Sequence, residues 1–236
     1  MKSMDADQNA AIDDVVVLGE PVRRALYDYV ARQREPVGRD AAAAAVDIGR
    51  PLAAFHLDRL VAAGLLEVTF RRLSGRTGPG AGRPAKLYER SAREIELSLP
   101  ARRYELAARL FAKALTTGAA AGGSTDEALD GAARSFGESL GKEARRAAGP
   151  RPGRARLLAA AMNVLTSAGF EPIAGDDDVI ALRNCPFDAL AQSHRELVCG
   201  MNLSLMDGVI VGLRTTGIEA VLDRQPGMCC VVWRRA

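Results

Sequence analysis

Residues 53–91 read AAFHLDRLVAAGLLEVTFRRLSGRTGPGAGRPAKLYERS, and this stretch decides the fold. Leu57, Leu60 and Val61 recur at helical spacing, and Gly64 stops the helix they define. Leu65–Phe70 is a run rich in branched and aromatic side chains, which predicts a strand, and Lys86–Glu89 offers the strand that returns. The intervening glycines, prolines and bases are too many for a tight turn.

Working upstream, residues 18–32 place Val22, Leu26, Tyr29 and Val30 on one helical face. An alanine-rich helix of high propensity follows over 39–49, with Gly49 expected to end it. The third helix starts near Pro51, whose fixed φ suits a first turn. Three helices, a strand, a long loop and a strand make the order of a winged helix-turn-helix over residues 1–95.

Charge agrees with that order. The whole chain carries a formal net charge of only +3, yet 71–93 holds Arg71, Arg72, Arg76, Arg83, Lys86, Arg90 and Arg93 against the single acid Glu89. A basic stripe of this kind suits a polyanion. In a helix-turn-helix the second helix of the pair enters the major groove. With Leu57, Leu60 and Val61 turned inward, Arg50, Pro51, Ala54, Phe55 and Arg59 are left to meet double-stranded DNA. Arginine can bond two guanine acceptors at once, whereas alanine and phenylalanine offer apolar contact only. Arg72, Arg76, Arg83 and Lys86 of the wing are placed for phosphate, where counterion release rewards bases. A phosphate cradle for a nucleotide is excluded, because GPGAGRPAK lacks the required glycine–lysine spacing and precedes a strand. His56, just before the buried Leu57, is expected to pack within its own domain.

Beyond the wing, residues 96–115 predict a helix with Tyr104, Ala107, Ala108, Phe111 and Leu115 at helical spacing, the core of a connecting or dimerising segment over 96–121. The loose TTGAAAGGST at 116–125 sets a boundary near 122. Residues 122–236 then read as an α+β domain: an amphipathic segment broken by GPRPG at 149–153, a helix over 154–168, and strands at 171–174 and 179–184 about the turn GDDD. A short helix through 187–197, a helix from about 200 to 213, and strands at 218–222 and 229–233 complete it. No apolar run reaches the roughly 20 residues of a membrane span. The polar, acidic N-terminus lacks the features of a secretory signal, so a cytoplasmic protein is expected.

All four cysteines fall in this last region. Cys185 and Cys199 are separated by thirteen residues, and Cys229 and Cys230 are adjacent. No close C-x-x-C pair exists, so spacing alone indicates neither a zinc ribbon nor a thioredoxin site. Cys185 is expected at the end of a strand, and Cys199 near a helix start where the dipole favours thiolate. Because strand residues alternate faces, one of Cys229 and Cys230 is expected to join them. Three converging thiols suit an iron–sulphur cluster with a fourth ligand from elsewhere, or zinc if a histidine such as His194 completes the set. Thiol oxidation without metal, or a small apolar ligand near Met201, Leu205, Val209 and Leu213, are the competing readings. An enzyme is not expected, because no catalytic motif surrounds His194 or the thiols.

Two resemblances sharpen these expectations. The H-L-x-x-L-x-x-A-G-L-L run of 56–66 and the G-R-P-x-K-x-Y run of 82–88 resemble the DNA-binding half of ArsR- and DeoR-like winged-helix regulators. The segments NCPFDALAQSHRELVCGMN and GMCCVVW are similar to the sensor domain of the SufR-like, iron–sulphur-responsive branch of that superfamily. The likeness implies a homodimeric repressor carrying a 4Fe-4S or 2Fe-2S cluster, with ligands on Cys185, Cys199 and one of the final pair. Distance from Gly227 favours Cys230 over Cys229. The cysteine pair that arsenic- and cadmium-sensing members carry beside the recognition helix is absent from this chain.

Overall fold

The computed structural model describes residues 4–72, 83–121, 124–175 and 179–236, without the side chains of 4–9 and 119–121. The chain divides into two units, Asp5–Leu97 and Ser98–Ala236. Both the boundary predicted near 122 and the acidic part of the GDDD turn lie outside the described residues.

In the first unit, α1 (Met4–Val17) and α2 (Pro21–Ala31) precede the pair α3 (Arg39–Ala45) and α4 (Arg50–Ala62). Glu20 caps α2, its two carboxylate oxygens accepting from the N–H groups of Val22 and Arg23 at 3.1 and 2.6 Å. The turn between α3 and α4 differs from expectation. Asp47, at φ 55°, takes the left-handed conformation, and Gly49 sits at φ −67° as the residue preceding α4. Aspartate visits that region more readily than most side chains, so no glycine is required at the bend. Gly64 does close α4 as predicted, at φ +69°.

A three-stranded antiparallel sheet completes the unit in the order β1 (Val37–Gly38), β3 (Ala85–Arg90), β2 (Leu66–Arg71). Tyr88 stands opposite both Val37 and Val68. Leu26, Val30, Leu57, Leu60, Leu66 and Tyr88 fill the core beneath the sheet. Arg93 fastens the segment after β3, donating to the carbonyl of Ala63 at 2.8 Å and to the buried Asp14 of α1.

The second unit contains α5 (Tyr104–Ala121), α6 (Thr125–Ala148), α7 (Arg154–Ser167), α8 (Asp188–Ser193) and α9 (Arg195–Leu213). Its four-stranded antiparallel sheet runs β4 (Pro172–Ala174), β5 (Ile180–Leu182), β7 (Val231–Arg234), β6 (Glu219–Leu222). The mixture of helices and sheet is the α+β class predicted. Helix α5 begins at Tyr104 rather than 96, after the Pro100 segment, and its Ala107, Leu110 and Ala114 are buried in this unit's core. Among the described residues α9 alone has the length and apolarity to cross a bilayer; the residues responsible, including Met201, Leu205, Val209 and Leu213, are core. Helices α6 and α9 meet backbone to backbone. A methyl group at Gly137 would collide with the carbonyl of Leu205, and one at Gly208 with the carbonyl of Arg134.

Candidate nucleic-acid interface and thiol cleft

Helix α4 shows the two faces its sequence implies. Ala53, His56, Leu57 and Leu60 are buried, while Arg50, Pro51, Phe55, Asp58 and Arg59 are exposed and Ala54 is half-buried. Phe55 is 53% exposed on this face. The guanidinium of Arg59 lies 5.8 Å from its ring centroid, within cation–π range. His56 packs inside the unit as expected, its Nδ1 accepting from Arg23 Nε at 3.4 Å and lying 3.5 Å from the Glu20 carboxylate.

The charged residues are not equally available. Arg50 Nε is 3.3 Å from Asp40, and Lys86 Nζ donates to Asp58 Oδ1 at 2.5 Å. Tyr88 also donates to that oxygen, at 3.1 Å. The hydrogen bond to Asp58 holds the Lys86 ammonium above its ordinary range despite some desolvation. Arg72 and Arg83 are exposed on the two sides of the wing. Arg76 lies outside the described residues. Asp58 escaped the sequence reading, although its three-residue separation from Phe55 places it on the same helical face.

In the second unit, all four cysteines line one cleft of about 390 Å³, together with Asp188, Gln192, Arg195, Arg224 and the 225–228 turn. Each is brought there by a separate local device. Beside Cys185, the buried Asn184 donates to the carbonyls of Ala101 and Gly169 at 2.8 and 2.7 Å and accepts from Arg102, and Phe187 is buried completely. These anchors leave Cys185 toward the cleft. The N–H of Cys229 donates to the carbonyl of Leu182 at 2.8 Å, and the carbonyl of Cys230 accepts from the N–H of Asp223 at 2.8 Å.

Two geometric expectations change here. Helix α9 starts at Arg195, which puts the buried Cys199 a full turn inside it, beyond the first-turn reach of the helix dipole. Strand β7 starts at Val231, so Cys229 and Cys230 precede the strand, do not alternate as strand residues do, and both line the cleft. The thiols of Cys185, Cys229 and Cys230 act on one another within the cleft. The hydrogen-bonding effect of Cys229, followed by burial, pushes the Cys185 thiol far above the ordinary range. Cys229 is lowered by the hydrogen-bonding effect of Cys185, but that of Cys230 and its burial outweigh this and leave it at about 12.

Asn202, fully buried on α9, donates its Nδ2 to Cys229 Sγ at 3.2 Å, and among the described residues its own Oδ1 finds no partner. Sequence reasoning missed this residue, since only the folded chain carries it to a cysteine 27 positions away. His194 is not brought to the thiols. It joins Phe111, Leu115, Leu129 and Leu197 around a separate, mostly apolar pocket of about 400 Å³. Among the described residues no group of three or more histidine, cysteine, aspartate or glutamate side chains forms a site for a single metal ion.

Residues 18–69, from the approach to α2 through most of β2, match the family described as Helix-turn-helix domain. Comparison with curated proteins and with solved structures gives no match. The matched domain and the exposed face of α4 support a DNA-binding transcription regulator.

Proposed function

We propose that the chain is a homodimeric repressor that reads operator DNA with α4 and its wing, and that its second unit senses an iron–sulphur cluster. The observation that carries the sensing half is the convergence of Cys185, Cys199, Cys229 and Cys230, from three distant segments, on one cleft. Thiolates are the usual ligands of such clusters, and the cleft is larger than a single ion needs. Cys185, Cys199 and Cys230 are the ligands favoured, with Cys229 the alternative to Cys230. Bound there, the cluster would supply a group whose integrity depends on iron supply and oxidants. The protein's share is to gather the thiols, bury Cys199 and Cys229, and present the Asn202 N–H to sulphur.

Arg59 and Arg50 would meet base edges or nearby phosphates, with Pro51, Ala54 and Phe55 supplying apolar contact. Arg72, Arg76, Arg83 and Lys86 would follow the backbone. Regulation requires that cluster-bound and cluster-free conformations differ in DNA affinity. Anaerobic purification with iron and acid-labile sulphide assays, followed by operator selection from random DNA, tests the reading. Iron with sulphide, and operator binding altered by replacing the cysteines with serine, are expected. A colourless protein whose operator binding ignores all four replacements would overturn the sensing half and leave the DNA-binding half standing.

A further inference from the structure

The thiol cleft is also a cationic one. Among the described residues Asp188 is the single carboxylate lining it, and that group is already engaged, accepting from Gln192 Nε2 at 3.0 Å and lying 3.7 Å from Arg102. Arg195 and Arg224 line the same cleft, and among the described residues neither makes a hydrogen bond or ion pair. Two unclaimed guanidiniums beside a set of thiols match a ligand that carries carboxylates and sulphur together. A cleft of about 390 Å³ has room for a tripeptide-sized thiol.

We propose that, in the cluster-free protein, this cleft binds a carboxylate-bearing low-molecular-weight disulfide of the glutathione type and is thiolated at Cys230. Accessibility selects the sulphur. Cys199 and Cys229 are buried, whereas Cys185 and Cys230 are partly open. Of these two, Cys230 stands across the 224–229 turn from the cleft arginine Arg224, its carbonyl accepting from the neighbouring Asp223 N–H at 2.8 Å. The Cys230 thiolate attacks one sulphur of the reagent, and its electron pair forms the new S–S bond. The reagent's own S–S bond breaks, and the departing half leaves as a thiolate that takes up the proton Cys230 released. Cys230 and the bound half stay joined as a mixed disulfide, and the other half is reduced to free thiol. Arg195 and Arg224 act as positioning residues for the carboxylates.

The proposal concerns the same cleft as the cluster reading but does not depend on it. Full-length protein, freed of metal by chelation, is treated in low salt with glutathione disulfide, the cationic cystamine, or neutral 2-hydroxyethyl disulfide. Intact mass and peptide mapping follow the reaction. One glutathionyl adduct on Cys230 is expected, formed on the order of tenfold faster than the cystamine adduct. Arg195→Gln with Arg224→Gln should erase that preference while the neutral reagent reacts at an unchanged rate. Cys230→Ser should abolish the adduct with an unaltered circular dichroism spectrum. No adduct, an adduct on another cysteine, or an anionic preference that survives the double substitution would overturn the proposal. Colourless wild-type protein that is thiolated as described sinks the cluster reading alone, and brown protein whose apo form resists thiolation sinks this one alone.

Discussion

Asp58 accepts from both Lys86 and Tyr88 on the exposed face of α4, so one carboxylate neutralises a base that the wing would otherwise offer to phosphate. Lys86 and Asp58 are substantially exposed, at 40% and 56%, so their pairing is weak enough to exchange for DNA. Removing the negative charge should therefore help binding. Asp58→Asn is expected to raise affinity for random-sequence DNA about fivefold at low salt, an effect that fades as ionic strength rises. Fluorescence anisotropy across a salt series reads it, and unchanged affinity would mean that Lys86 stays bound to the helix in the complex. Glu20 is a residue of a different kind. Some desolvation raises its carboxyl pKa, but the N–H donors of Arg23 and Val22, with the nearby charge of Arg23, prevail and hold it below the ordinary value of 4.5. A depressed folded pKa stabilises the native state above the unfolded pKa, and that stabilisation is lost as pH falls through the folded one. Glu20→Gln should thus flatten the loss of stability below about pH 4.5. Glu20→Ala, which removes the cap, should lower the urea midpoint at neutral pH.

At the scale of elements, α4 and the wing divide their labour by where their charges stand. Arg83, exposed at the wing's edge and not part of a helix face, should contribute phosphate contact only. Arg83→Ala is expected to weaken binding equally for all sequences and lower the salt slope by about 1. Arg59→Ala should change which sequences bind, and parallel operator-selection experiments on the two variants distinguish these outcomes. The crossing of α6 and α9 is equally specific, because Gly141 faces Gly212, Gly137 faces Leu205 and Gly208 faces Arg134, with no room for a Cβ. Gly137→Ala must push backbone against backbone and is expected to cost about 3 kcal/mol in thermal or urea unfolding. Elements whose signal is local were legible in sequence. The period of Leu57 and Leu60 marks α4, and the branched run before the wing marks β2, whereas β1 is two residues long and exists only because Val37 and Gly38 pair with Tyr88 and Leu87. Helix α1 lacks a clear apolar period, and its buried Asp14 makes sense only beside Arg93, 79 positions away. The cysteines were legible as a set, but their surroundings were not. Arg195, Arg224 and Asn202 gain chemical meaning from tertiary neighbours that no spacing rule supplies.

The whole molecule joins two units that each bury their own core, Leu57, Leu60 and Tyr88 in one, Leu165, Leu205 and Trp233 in the other. A fragment ending at Leu97 keeps α1–α4, the three-stranded sheet and the Arg93–Asp14 tie, so it should fold without the remainder. If the second unit supplies dimerisation, that fragment binds one half-site at a time and forfeits the effective concentration that a paired domain provides. Its affinity for a two-half-site operator should then fall by about 100-fold, while its ranking of half-site sequences stays that of the full chain. Sedimentation equilibrium on both proteins, with binding measured on one and two half-sites, checks the argument. A monomeric fragment that loses affinity only on the double site places the pairing surface within Ser98–Ala236. A dimeric fragment with full operator affinity would instead place the pairing surface in the helix-turn-helix unit, and the second unit would then have to act on DNA binding by some route other than assembling the dimer.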